Sequence, residues 1–146
     1  MIRHLLDVNL LLALLWPRHE SHQAAHAWFA ESGHRAWATN PITQLGALRL
    51  LTNPAVTQGA VNATTALDVL SEATSHPGHE FWPLDGALPG ALKSFAQRIS
   101  GHQQWTDSLL LWHAAHRDGI LVTFDTGVKT LGASELKSRV LLLRGR

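Results

Sequence analysis

The chain contains no cysteine. That excludes a disulfide framework and thiolate metal sites, and it fits a reducing setting such as the cytoplasm. Nor does any segment approach the ~18–20 consecutive apolar residues that span a bilayer. The N-terminal run Leu10–Trp16 covers only seven residues, and Asp7 and Asn9 interrupt the stretch before it. No signal peptide or membrane anchor is expected there. A dominant charge is missing too: 12 Lys and Arg face 11 Asp and Glu, for a net charge of +1. This balance neither demands nor excludes a polyanionic partner, although ten histidines add positive charge below about pH 6.5. Repeats, linkers and low-complexity tracts are absent as well. With 45% hydrophobic and 16% charged residues, a 146-residue chain of this kind reads as one globular domain, 1–146.

What is present alternates. Met1–Leu6 is short and apolar, as a buried strand would be. Asn9 reads as the cap of a helix over Leu10–Trp16, stopped by Pro17. A second helix is expected over His19–Glu31, ending at Gly33. "RAWATN" (Arg35–Asn40) reads as a strand, and "PITQLGALRLL" as a helix opened by proline and closed by Asn53-Pro54. Ala60–Ala73 is helical. "EFWPLD" (Glu80–Asp85) is a strand whose proline suits a sheet edge. "ALPGALKSFAQRI" gives a short helix, and "WTDSLLLWHAAHRDG" a longer one stopped at Gly119. "ILVTFD" and "RVLLLRG" supply the last two strands. Strands alternating with helices in this order predict an α/β fold, with a mainly parallel central sheet flanked by helices on both faces.

That topology gives meaning to the aspartate inside "HLLDVNLLLALLW". Asp7 follows the first strand as Asp125 follows "ILVTF". In a parallel sheet the strands' C-terminal ends share one edge, where open α/β folds carry their sites. Asp107 opens the helix preceding the Asp125 strand, so it starts at that same edge. Carboxylates crowded together raise one another's pKa unless a cation balances them. Oxygen ligands alone suit Mg²⁺ or Mn²⁺, and such ions promote phosphoryl chemistry by acidifying water and neutralising developing charge. Each aspartate also has an ordinary structural use. Asp7 suits a cap, Asp107 complements a helix dipole, and Asp125-Thr126-Gly127 suits a turn.

Three segments, "LLDVNLLLALLWPRHESHQAAHAWF", "WATNPITQLGALRLLTNP" and "WTDSLLLWHAAHRDGILVTFDTGV", together resemble the PIN-domain toxins of the VapC type. The resemblance spans Met1 to about Leu131. It implies a PIN fold, usually a homodimer. It also implies a Mg²⁺- or Mn²⁺-dependent endoribonuclease acting on RNA and neutralised by a VapB-like antitoxin. The family's acids carry over to Asp7, Asp107 and Asp125, with Thr106 beside the second of these. Asn9 matches the polar residue after the first acid, and Thr43 and Arg49 match positions near the family's glutamate. That glutamate is the departure: "Thr43-Gln44-Leu45-Gly46" stands where the family has T-E-x-G. Gln44 keeps the shape and the hydrogen-bonding capacity but not the charge. Three readings follow: a working enzyme slowed by Gln44, a silent member kept for antitoxin binding, or a deliberately substituted toxin.

RNA needs cationic contacts near such a site, and the candidates are Arg18, Arg49, Lys93, Arg98, Arg117 and Lys129. His19, His22 and His26 share a helical face, and His113 and His116 form an i, i+3 pair; both sets read first as surface or packed histidines. Trp28 and Trp112 suit the core better than a base-stacking role. A receiver-like phosphoacceptor is the other α/β candidate, with Asp85 as acceptor and Thr123 and Lys129 downstream. It leaves Asp107 without a role.

Overall fold

The computed structural model describes residues 1–145; the last position of the expected domain lies outside the described residues. Five short strands form one sheet: β1 (His4–Leu6), β2 (Trp37–Thr39), β3 (His79–Phe81), β4 (Ile120–Thr123) and β5 (Val140–Leu142). Their order is β3-β2-β1-β4-β5, and every neighbouring pair is parallel. Parallel neighbours need crossovers: the β4–β5 one runs through 3-10 turns at Thr126–Thr130 and Ser134–Arg139, and the others run through α-helices. These are α1 (Val8–Leu15), α2 (His22–Glu31), α3 (Pro41–Leu51), α4 (Pro54–Thr57), α5 (Ala63–Thr74), α6 (Leu88–Leu92) and α7 (Gln104–His116).

Strand alternation sends neighbouring residues to opposite faces. Leu6, Trp37 and Val122 pack against Leu10, Leu11, Ala25, Ala47 and Leu70 from α1, α2, α3 and α5. Leu5, Ala38 and Leu121 face Leu110, Leu111 and Ala114 of α7, with Phe95, Val128 and Leu131 behind them. Helices therefore cover both faces, as expected. Each leucine buried this way contributes roughly 1.5–3 kcal/mol.

Several boundaries differ from the sequence expectation for local reasons. The first strand begins only at His4, and the second spans Trp37–Thr39 because Asn40 leaves it to cap α3. Asn40 Oδ1 accepts the Thr43 N–H at 2.9 Å, and Thr43 Oγ1 accepts the Asn40 N–H at 3.0 Å. Asn53-Pro54 does more than close α3: Asn53 caps α4, whose first residue is Pro54. Asn62 starts α5 later than Ala60. The single helix expected over "ALPGALKSFAQRI" splits into α6 and a 3-10 turn, Ala96–Arg98. β3 lies at the sheet's edge, with Pro83 just beyond it.

The stop after α7 also works differently. Asp118 takes the left-handed conformation (φ +53°), not Gly119. Gly119 is needed for space: a Cβ there would lie 2.8 Å from the Arg3 carbonyl and 2.7 Å from the Trp82 ring. Trp28 and Trp112 are partly buried and pack against the two main cores. No helix of the described residues is long and apolar enough to cross a membrane.

Candidate active site

β1 is the switch point of the sheet. The chain builds β2 and β3 on one side of it and β4 and β5 on the other. Asp7 leaves β1 directly beside the end of β4, and its N–H donates to the Val122 carbonyl at 3.1 Å. Its carboxylate then accepts the Leu10 N–H at 2.7 Å and so caps α1. The cap expected at Asn9 therefore belongs to Asp7, because the helix starts as soon as the strand ends. Asn9 lies inside α1 with its side chain exposed.

Asp125 sits two residues beyond β4. Its N–H donates to Thr123 Oγ1 at 2.9 Å, and its carboxylate accepts the Gly127 N–H at 2.8 Å. Asp107 stands in the first turn of α7, where the helix dipole favours an anion. The three carboxylates line one hollow of about 340 Å³, together with Asn9, Gln103 and Thr106. No Lys, Arg or His among the described residues lines that hollow.

The electrostatics record this crowding. Burial pushes the Asp7 carboxyl up to about 6; the nearby Asp107 and Asp125 charges add to the rise, and bonds from Thr123 and the Leu10 N–H oppose it. Burial, then the Asp125 charge, pushes Asp107 up to about 6 as well. The cluster thus holds negative charge that its surroundings do not neutralise. Such a set suits a hydrated Mg²⁺ or Mn²⁺, which takes one or two carboxylates directly and keeps several waters. Among the described residues no group of three acids or imidazoles is already set to hold a metal ion. Asp7, Asp107 and Asp125 are the carboxylates that line the hollow, and so the candidates for holding one.

Gln44 does not line this hollow. Its amide donates to Thr39 Oγ1 at 2.9 Å, and that hydroxyl meets His79 Nε2 at 2.7 Å. The side chain joins α3 to β2, and through Thr39 to β3. Thr43 is fully buried in the α3 cap. Arg49 lines an adjoining hollow with Thr106. Asp85 follows β3, two strands away from β1, pairs with His116 at 3.9 Å and does not line the hollow of the three acids.

The histidines have structural uses. His22 Nδ1 lies 2.7 Å from the Ala13 carbonyl and His26 Nε2 3.1 Å from that of Leu14, both at the end of α1. His113 is buried and accepts from Asn40 Nδ2 at 2.9 Å. Two site residues escaped the sequence reading. Thr123, weighed only for the receiver-like alternative, is buried between Asp7 and Asp125 and bonds to both. Its signal was the i, i+2 spacing of "TFD", which puts both side chains on one side of the strand end. Gln103 lies four residues before Asp107, on the same side of the α7 start, and lines the hollow with it.

Comparison with known proteins agrees with this fold. The family model for the PIN domain matches residues 4–133. Ribonuclease VapC39 of Mycobacterium tuberculosis is 41% identical over 124 residues, covering 85% of this chain and 89% of that protein. Ribonuclease VapC38 of the same organism is 40% identical over 139 residues, covering 95% and 96%. Among solved structures, VapBC2 from Rickettsia felis, bound to a DNA fragment from its promoter, superposes with a TM-score of 0.64. It covers 97% of this chain and 99% of its own at 14% identity. PAE2754 from Pyrobaculum aerophilum gives 0.60, at 19% identity and 96% and 88% coverage. With a parallel five-stranded sheet, three acids at its switch point and this similarity along most of its length, the chain belongs to the PIN-domain family and groups with its VapC members.

Proposed function

We propose that this chain is a divalent-metal-dependent endoribonuclease, the toxin of a toxin–antitoxin pair, which hydrolyses RNA phosphodiesters. The observation that carries the reading is the convergence of Asp7, Asp107 and Asp125 on one hollow that no cation among the described residues lines. The similarity to proteins named ribonucleases supports the substrate. When bound, Mg²⁺ or Mn²⁺ supplies charge neutralisation at the phosphate and acidifies water. The chain's own residues orient that chemistry. Backbone N–H groups of Leu10 and Gly127 hold the Asp7 and Asp125 carboxylates, and Thr123 ties the two together. Preorganised ligands of this kind need no rearrangement at the moment of reaction. Asn9 and Thr106, both in the hollow, are placed to bond a water or a phosphate oxygen.

Gln44 enters this proposal as a positioning residue, not a ligand. A weakened site followed from placing its side chain beside the acids, but the side chain turns to Thr39 instead. Three aspartates then suffice, and Gln44→Glu changes the cleavage rate by less than about threefold. A VapB-like antitoxin and a homodimer complete the reading. The antitoxin is supported by the family and by the VapBC2 neighbour.

The test is cleavage of a mixed cellular RNA pool with Mn²⁺ or Mg²⁺, against the same reaction in EDTA. Asp7→Asn and Asp125→Asn should each slow cleavage ~10²–10⁴-fold. Cutting that persists in EDTA, or survives Asp7→Asn, overturns the mechanism. No cutting by the parent chain with either metal leaves a silent antitoxin-binding protein.

A further inference from the structure

The acidic hollow adjoins two others, and they differ in chemistry. On the α7 side lies one of about 390 Å³, which shares Gln103, Asp107 and Asp125 with it and is otherwise lined by Ser100 to Gln104. Among the described residues neither Lys nor Arg lines it, and His102 is its one basic side chain. On the α3 side lies a larger one of about 710 Å³, which shares Val8, Leu50 and Thr106 with the acidic hollow. Ile42, Leu45 and Pro54 give it apolar surface, and Arg49 and Asn53 give it polar groups.

Arg49 is distinctive among the cations singled out from the sequence. It is exposed, and its guanidinium has no ion pair or hydrogen bond among the described residues. Arg98 is held on the Ser94 carbonyl at 2.7 Å, and Arg117 lies over the Trp82 ring at 5.7 Å. Arg18, Lys93 and Lys129 line none of the three hollows. Asn53 spends its Oδ1 on the Ala55 N–H, which leaves the amide NH₂ to donate. An unspent guanidinium, an unspent amide donor and apolar walls beside a phosphate-handling site match one ligand class. A nucleotide has apolar faces, polar edges and an anionic phosphate. A base can enter such a hollow only when unstacked, which selects single-stranded RNA.

We propose that the α3-side hollow is the subsite for a nucleotide flanking the scissile phosphate of single-stranded RNA, with Arg49 contacting a phosphate. The proposal rests on the nuclease reading above. It makes the substrate track asymmetric: Arg49 and apolar walls on the α3 side, two of the acids with His102 and polar groups on the α7 side.

The experiment uses a short, fluorescein-labelled single-stranded RNA carrying 4-thiouridine, with the full chain. Binding is measured in EDTA, where no cutting is expected, and cleavage in Mn²⁺. Arg49→Gln should weaken binding about five- to tenfold and lower the slope of log K against log salt by about 0.7. In Mn²⁺ it should raise KM and spare kcat, and Arg49→Lys should restore part of the affinity. Photo-crosslinks should map to residues 42–54. Unchanged affinity and salt slope in Arg49→Gln, or crosslinks confined to residues 100–104, overturns the subsite. If Leu45→Asp halves the mass in solution and leaves RNA affinity intact, the hollow is an interface between copies, and the subsite again falls. Metal-dependent cutting that is lost in Asp7→Asn keeps the nuclease reading standing in each of these cases. A parent chain that binds no RNA and cuts none overturns both.

Discussion

A carboxylate in an apolar run is costly, and Asp7 shows what offsets the cost. Its side chain caps α1 and takes a bond from Thr123, yet burial beside two other acids still raises it to about 6. The sign of the consequence is definite. In the folded chain Asp7 holds its proton to a higher pH than the ordinary value of 3.8. Between about pH 4 and pH 6 the folded state therefore binds more protons than the unfolded one, and stability falls as pH rises through that window. For Asp7 the loss is on the order of 3 kcal/mol above pH 6. Asp107 adds a further loss in the same direction. Asp7→Asn keeps a good capping residue and removes the charge. Metal-free Asp7→Asn should melt above the parent chain at pH 7.5, with the gap closing near pH 4. Equal melting temperatures at both pH values would show that Asp7 carries no burial penalty.

At the scale of elements, glycine in the "TQLG" motif has a packing reason. A Cβ on Gly46 would lie 2.7 Å from a Val8 methyl, so α1 and α3 approach closely there. Val8 adjoins Asp7 and lines the acidic hollow. Gly46→Ala must push Val8 or separate the helices, and overpacking of this kind costs about 1–3 kcal/mol. We expect a lower melting temperature and, because the shift falls beside Asp7, a weaker response of that temperature to Mn²⁺. Gly119→Ala should destabilise by a similar amount through the Arg3 carbonyl, while leaving the metal response intact. Thermal melts of both variants with and without Mn²⁺ separate the two effects.

At the scale of the whole molecule, the proposed metal site would link cation binding to folding through the repulsion among the acids. A cation that binds only the folded chain stabilises it by about 2.7 kcal/mol at a hundredfold excess over Kd. In a chain of this length that is a rise of roughly 5–10 °C in Tm. Mn²⁺ should produce this rise at pH 7.5, EDTA should reverse it, and it should shrink below pH 6 as Asp7 and Asp107 take up protons. A melt that is insensitive to Mn²⁺ at pH 7.5 would contradict the proposed metal site.

The order of strands and helices, and the shared edge of Asp7, Asp107 and Asp125, were legible from residues alone. Apolar runs, capping residues and prolines act locally, and parallel topology then dictates which strand ends meet. The alternation also announced helices on both faces, because Leu5 and Leu6 are both apolar and must both be covered. Side-chain direction was not legible. Gln44 lies in a motif that points to the acids, but Thr39, itself bonded to the sequence-distant His79, captures its amide. The α1 cap moved from Asn9 to Asp7 because the neighbouring strand β4 fixes where β1 ends. Thr123 gained its place between two acids, and Arg49 its freedom beside a hollow, only once segments far apart in the chain packed together. Local propensity thus determined the elements and their order. Which polar groups found partners, and which were left over for chemistry, was decided by tertiary packing, because hydrogen bonds and burial depend on what the fold brings near.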